Sequence, residues 1–221
     1  MRPVICLVTD RSRFGAVWED EVVARVRAAA EAGVHLVQVR ERGLETRDLL
    51  RLVTRCRDAV QGTAARVLVN DRLDVALAAG AHGVHLPAGG VPAARVRAVV
   101  PPAFLIGRSV HDPREAELAA RDGAVDYLIF GTVFPSRSKP DVTAAGLAWL
   151  HAAAAVGVPV LAIGGMTSAR MDEVAASGAS GFAAIGLFSD GDAASILRNV
   201  HRAAMAFDTL RRKDEALSSK A

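Results

Sequence analysis

A chain of 221 residues with a formal charge of +3 has room for one or two domains. Hydrophobic residues make up 51% of it and aromatics only 5%, so the core must come from Val, Leu, Ile and Ala, as buried parallel strands and their covering helices require. The basic residues are spread out, with no zinc-ligand spacing and no RNP-like aromatic run, so nucleic acid is not an expected partner; Cys6 and Cys56 sit in apolar segments and read as core thiols, not as a disulfide framework.

The first ten residues reach Asp10 without a long apolar run, which predicts no secretory leader. No stretch is long enough to span a bilayer, so the expected location is the cytoplasm, with no membrane partner. Residues 4–8 read as a first strand. One pattern then recurs: an Ala-rich helical stretch ends in Gly, and a short apolar run follows. It appears at Gly33 before residues 34–40, Gly80 before 81–86 and Gly123 before 124–131, then at Gly157 before 158–165 and Gly178 before 179–186. Glycine just past a helix adopts the left-handed conformation at little cost. Two further strands, 66–70 and 104–107, lack this glycine and bring the number to eight.

Helical segments such as 20–32, 47–60 and 168–177 alternate with these strands. Such alternation favours right-handed βαβ units and a parallel sheet. Eight units in about 200 residues fit a closed barrel. An open doubly wound sheet would carry a Gly-rich turn after its first strand, and Thr9-Asp10-Arg11-Ser12-Arg13 is not one. The expectation is α/β, a single (βα)8 TIM barrel over residues 1–211, with a polar tail at 212–221 that frays.

In such a barrel, function sits on the strand ends and the loops after them. Strand two ends in Gln38, Val39, Arg40, Glu41 and Arg42, and alternation puts Gln38, Arg40 and Arg42 on one side. Two Arg at a barrel mouth suit a phosphate or carboxylate; the plain alternative is a surface salt-bridge cluster with Glu41. Strand three ends Asn70-Asp71, where Asp71 either caps the next helix or holds a divalent metal. The loop after strand four, Pro87 to Gly90, has no carboxylate, which speaks against a two-carboxylate metal site. Strand five ends in Ser109, Val110 and His111. His111 is either a proton shuttle or a partner in the Asp112-Pro113 helix start. The long polar loop after strand six offers Ser136, Ser138 and Lys139 as a lid over an anion. Gly164 and Gly165 follow strand seven, and Ile185 and Gly186 follow strand eight. Phosphate sites in such barrels commonly lie between these two loops, where backbone N–H groups bind and glycine allows close approach.

These residues resemble the thiamine phosphate synthase/TenI family from end to end. The likeness runs through residues 38–42, 70–72, 83–86, 107–111, 131–136 and 162–166 in one order. A synthase of this family joins a pyrimidine diphosphate to a thiazole phosphate, and two Asp hold the magnesium that neutralises the diphosphate. Here Asp71 matches the first, but Gly90 occupies the second position, and Arg42 stands where the family has Lys. The TenI branch resembles this chain more closely, in the Arg-Glu-Arg of residues 40–42, the Leu86-Pro87 turn, the Gly107 to His111 segment and the Ile163 to Thr167 segment.

The resemblance therefore implies a thiazole tautomerase, an isomerase that aromatises a carboxythiazole phosphate by proton transfer and needs no cofactor. His111 matches that branch's catalytic residue, with Arg40 facing the substrate carboxylate. Gly164, Gly165, Ile185 and Gly186 match the phosphate positions, and Gln38, Arg42, Asn70, Ser109, Ser136, Ser138 and Lys139 complete the expected substrate site. The alternatives are a thiamine phosphate synthase, with Mg2+ on Asp71, and a non-catalytic regulator that binds a thiamine precursor. The expected partner is a small phosphorylated thiazole, and the family likeness suggests a homo-oligomer.

Overall fold

Eight short strands close on one another in chain order: β1 (Val4–Val8), β2 (Leu36–Val39), β3 (Arg66–Asn70), β4 (Gly83–Leu86), β5 (Leu105–Val110), β6 (Tyr127–Gly131), β7 (Val160–Ile163) and β8 (Gly181–Ala184). The computed structural model describes residues 3–136 and 141–218, with backbone alone beyond residue 209. Every neighbouring pair is parallel, and β1 closes the ring on β8 in a register that runs from Val4 opposite Gly181 to Leu7 opposite Ala184. The closed barrel is the expected fold, and the open sheet is excluded.

The helices α1 (Trp18–Glu31), α2 (Thr46–Ala59), α3 (Leu73–Ala78), α4 (Ala93–Arg97), α5 (Pro113–Arg121), α6 (Gly146–Ala154) and α7 (Met171–Ala176) follow the strands in turn. A short α8 (Gly186–Ser189) and a long α9 (Ala193–Ser218) follow β8. α9 therefore continues past Arg212. The segment read as one helix over 168–177 starts as a 3-10 turn at Ser168–Arg170. Helix α2 shows how the layers form. Leu49, Leu52, Val53 and Cys56 repeat at three- and four-residue spacing and are buried against the barrel. On its outer side Arg51 and Arg55 pair with Glu19 at 2.8 and 2.9 Å. Truncating fully buried Leu52 to Ala would cost about 2–5 kcal/mol.

Inside the ring the core is separate and smaller: Cys6, Val8, Leu36, Leu68, Tyr127, Ile129, Leu161 and Ala183. Tyr127 fits because Gly107 on the neighbouring strand has no side chain; a Cβ there would lie 2.1 Å from the ring. The same period of two brings Gln38, Asn70, His85 and Ser109 into the layer above. The barrel is plugged below that layer, so a ligand can approach only from the C-terminal mouth.

Candidate active site

The mouth holds a cavity of about 560 Å3. Its floor is Val8, Gln38, Asn70, His85, Ser109 and Ile163, the inward residues of six strands. The substrate residues expected from the sequence meet here: Arg40 and Arg42 beyond β2, His111 beyond β5, Ser136 beyond β6, Gly164 and Gly165 beyond β7, and Ile185 and Gly186 beyond β8. Ser138 and Lys139 lie outside the described residues.

On the floor, Gln38 Nε2 donates to Asn70 Oδ1 at 2.9 Å. Beside them His85 is fully buried, with Nε2 2.8 Å from Ser109 Oγ and Nδ1 3.2 Å from Tyr127 Oη. Burial, with Arg40 nearby, holds its pKa down at about 3, so this imidazole is neutral and orients Ser109. His85 is not among the site residues expected from the sequence. Its side chain is core, and it lines the cavity as well.

Arg40 is half-buried; its backbone N–H donates to Thr9 Oγ1 at 3.0 Å. Burial and the neighbouring Arg42 charge both push its pKa down, since a half-buried guanidinium lies beside a second, exposed one. Among the described residues no carboxylate forms an ion pair with Arg40 or Arg42. The salt-bridge alternative with Glu41 therefore does not hold. Glu41 points the other way, is buried, and accepts the Arg11 backbone N–H at 3.0 Å. Its Oε1 has no partner among the described residues, and burial raises its pKa. It borders a second hollow of about 410 Å3 walled by Asp10, Arg11, Trp18 and Arg42.

Asp71 does not cap the next helix: Arg72 holds the cap position of α3, without a side-chain cap. Asp71 sits exposed at the rim in the left-handed region, φ 65°, which Asp tolerates better than most residues. The loop after β4 is a tight turn, with the Gly90 N–H donating to Pro87 O at 2.9 Å. Arg108 braces it by donating to Ala88 O at 2.6 Å and Val91 O at 3.1 Å. A Cβ on Gly90 would meet the Pro87 ring at 2.9 Å. Among the described residues no group of three His, Cys, Asp or Glu could hold a metal ion. Of the two carboxylates that the family resemblance implies for magnesium, Asp71 is present and the second position is Gly90. Asp71 is one carboxylate, enough only for a metal that arrives on substrate phosphates.

His111 takes part in the helix start and also lines the cavity. Its backbone N–H donates to Glu115 Oε2 at 2.7 Å, while Asp112 Oδ1 accepts the Glu115 N–H at 2.9 Å and caps α5. Its Nδ1 contacts the Gly131 carbonyl, which can only accept. Nδ1 therefore carries a proton.

The Gly164-Gly165 turn is as tight as a close backbone approach needs. Both have positive φ, 101° and 63°, and a Cβ on Gly165 would lie 2.4 Å from Pro135 O. Arg170 closes this corner, donating to Gly165 O and stacking over Phe134 at 4.4 Å. The sequence reading missed Arg170, Arg13 and Asp190, all on the cavity wall. Arg13 and Asp190 lie in the segments after β1 and β8, and Arg170 after β7, each several residues beyond its strand.

A closed (βα)8 barrel with a sheltered, arginine-bearing cavity at its C-terminal mouth defines the class: a TIM-barrel protein built around a small-molecule site. The family model described as thiamine monophosphate synthase matches residues 5–188, and the chain belongs to this thiamine phosphate synthase/TenI family of thiamine biosynthesis. It is 41% identical over 191 residues to the thiamine-phosphate synthase of Methanoculleus marisnigri, covering 82% of this chain and 90% of that one. It is 36% identical over 197 residues to the thiamine-phosphate synthase of Methanocella arvoryzae, covering 88% and 91%. A solved structure of a thiamine phosphate pyrophosphorylase from Pyrococcus furiosus superposes with a TM-score of 0.79 at 29% identity, covering 93% and 96%. These relatives carry the transferase name that stood as the alternative, and none supports the tautomerase name. No helix among the described residues is long and apolar enough to cross a membrane.

Proposed function

We propose that the chain is a thiamine phosphate synthase, joining a pyrimidine diphosphate to a thiazole phosphate in the cavity at the barrel mouth. The observation that carries this reading is the arrangement of the cavity around two anion-attracting poles. One is the Arg40–Arg42 pair beyond β2, which has no carboxylate ion-pair partner among the described residues. The other is the glycine turns beyond β7 and β8. Two phosphorylated substrates need two such poles. The names of the relatives point the same way.

The reaction breaks the bond between the pyrimidine's carbon and its diphosphate and forms a bond to the thiazole. Arg40 and Arg42 take up the negative charge that develops on the leaving diphosphate. The partial burial of Arg40 strengthens that attraction. The turns at Gly164-Gly165 and Ile185-Gly186 hold the thiazole by its phosphate. Gln38, Asn70 and Ser109, held by each other and by His85, form a polar floor that orients the rings. Magnesium would arrive with the diphosphate substrate, and Asp71 would be the one carboxylate at hand to hold it.

A second reading, the thiazole tautomerase, is favoured by His111, an imidazole on the cavity wall whose Nδ1 is held by Gly131 O. It also needs no metal carboxylate at Gly90. One panel of assays separates the two. The purified chain is given both synthase substrates with magnesium and, separately, the carboxythiazole phosphate tautomer without it. Product from the first pair, lost in Arg40→Ala, is expected. Aromatisation alone, lost in His111→Ala, would replace the proposal with the second reading. Binding of thiazole phosphate without either turnover would overturn both.

A further inference from the structure

Arg13 and Asp190 lie 177 residues apart, yet Arg13 Nη1 meets Asp190 Oδ1 at 2.7 Å on the wall of the cavity. The contact spans the seam where β1 closes on β8. Asp190 also stands over the turn after β8, since a Cβ added to Gly186 would lie 3.3 Å from Asp190 Oδ2. A carboxylate is thus seated beside the turn assigned above to the thiazole phosphate. Its counter-ion is a guanidinium, the side chain best shaped to grip a phosphate.

The surroundings decide which partner can move. Arg13 is held from behind: its Nε donates to Asp10 Oδ2 at 3.4 Å, and Asp10 also accepts the Ser12 hydroxyl at 2.6 Å. The Arg13 side chain is 29% exposed, whereas the Asp190 side chain is 69% exposed. The carboxylate can swing into water at little cost, and the guanidinium stays. Exposed ion pairs of this kind contribute little by themselves, so the exchange is cheap.

The geometry points to an exchange of partners: Arg13 is a phosphate-contacting residue of the substrate site, and Asp190 is a built-in anion that the phosphoryl group displaces from it. The inference rests on the proposed phosphate docking at the turns after β7 and β8. It adds a charged side chain to the backbone amides of the turn after β8, and so a preference for phosphorylated ligands over their alcohols. A purely structural strap between the loops after β1 and β8 would use the same contact, but it predicts different signs.

The test is equilibrium binding of inorganic phosphate, thiazole phosphate and the dephosphorylated thiazole alcohol to the full chain and two variants. Arg13→Ala should weaken both phosphates by about tenfold or more and leave the alcohol unchanged. Asp190→Asn should tighten both phosphates, by up to about fivefold, because the competing carboxylate is gone. Weakening in both variants would mean a strap and overturn the exchange. So would unchanged phosphate binding in Arg13→Ala, with the docking site itself left standing. If the unmodified chain binds neither phosphate, the docking reading falls and the exchange falls with it.

Discussion

His85 Nε2 lies 2.8 Å from Ser109 Oγ, so the hydroxyl at the floor of the cavity is oriented by an imidazole sealed inside the barrel. Burial keeps that imidazole neutral, with a pKa of about 3 in place of an ordinary 6.5. Between these values the unfolded chain binds a proton that the folded chain refuses. Stability contributed by neutral His85 is therefore present above about pH 6.5 and is lost as the pH falls toward 3. The slope should approach about 1.4 kcal/mol per pH unit. Urea midpoints at pH 7, 6, 5 and 4 should show the loss, and His85→Gln should flatten it. An equal acid slope in the variant would rule out His85 as its source.

Arg40 carries the heavier load in the proposed synthase. Arg40→Ala should lower the rate of joining by about a hundredfold, because a partly buried cation facing the leaving diphosphate is removed. Arg40→Lys keeps the charge and loses the fork, so it should recover only part of the rate. Steady-state kinetics with saturating thiazole phosphate would show this. A change confined to KM would mean that Arg40 binds the ground state only.

Gly165→Ala meets two obstacles, a left-handed backbone and Pro135 O at 2.4 Å from the new methyl carbon. The turn must shift, and thiazole phosphate should bind at least about tenfold more weakly. Thermal unfolding should report a loss of about 1–3 kcal/mol. Undiminished affinity for thiazole phosphate would remove the β7 turn from the docking site.

Gly90 tests the missing carboxylate. In Gly90→Asp the new side chain would press on the Pro87 ring, so the single change should help little, whereas Gly90→Asp with Pro87→Gly gives it room. The double variant should need less magnesium for half-maximal synthase turnover than the parent chain, by about tenfold. An unaltered magnesium requirement would show that the loop braced by Arg108 does not face the diphosphate.

Gly107→Ala addresses the barrel interior. The added methyl would overlap the Tyr127 ring, and the overpacking should cost about 1–3 kcal/mol in urea denaturation. Combining it with Tyr127→Leu should restore most of the loss, since the three nearest atoms all belong to Tyr127.

Much of this architecture was legible because buried parallel strands are written as apolar runs and glycine marks the helix ends. Gly33 and Gly178 take positive φ as expected. Strand edges were read too long. The run 34–40 yields only Leu36–Val39, because the Val34 N–H turns back to Ala29 O and the Arg40 N–H finds a side chain, Thr9 Oγ1. In the site, a period of two was enough to aim Gln38 and Arg40 at the mouth. Glu41 was harder: a carboxylate between two arginines suggests an ion pair, and only the fold shows that it turns inward to the Arg11 N–H. The Arg13–Asp190 contact was out of reach, since its partners become neighbours only once the first strand meets the last. No local pattern encodes that closure.

That closure also limits how the protein can associate. In a ring where β1 hydrogen-bonds to β8, no strand offers an unsatisfied row of amides and carbonyls to another polypeptide. Growth by strand addition, whether into fibrils or swapped sheets, is closed to the folded molecule. Any lasting companion must be gripped through the outer helices or the loops.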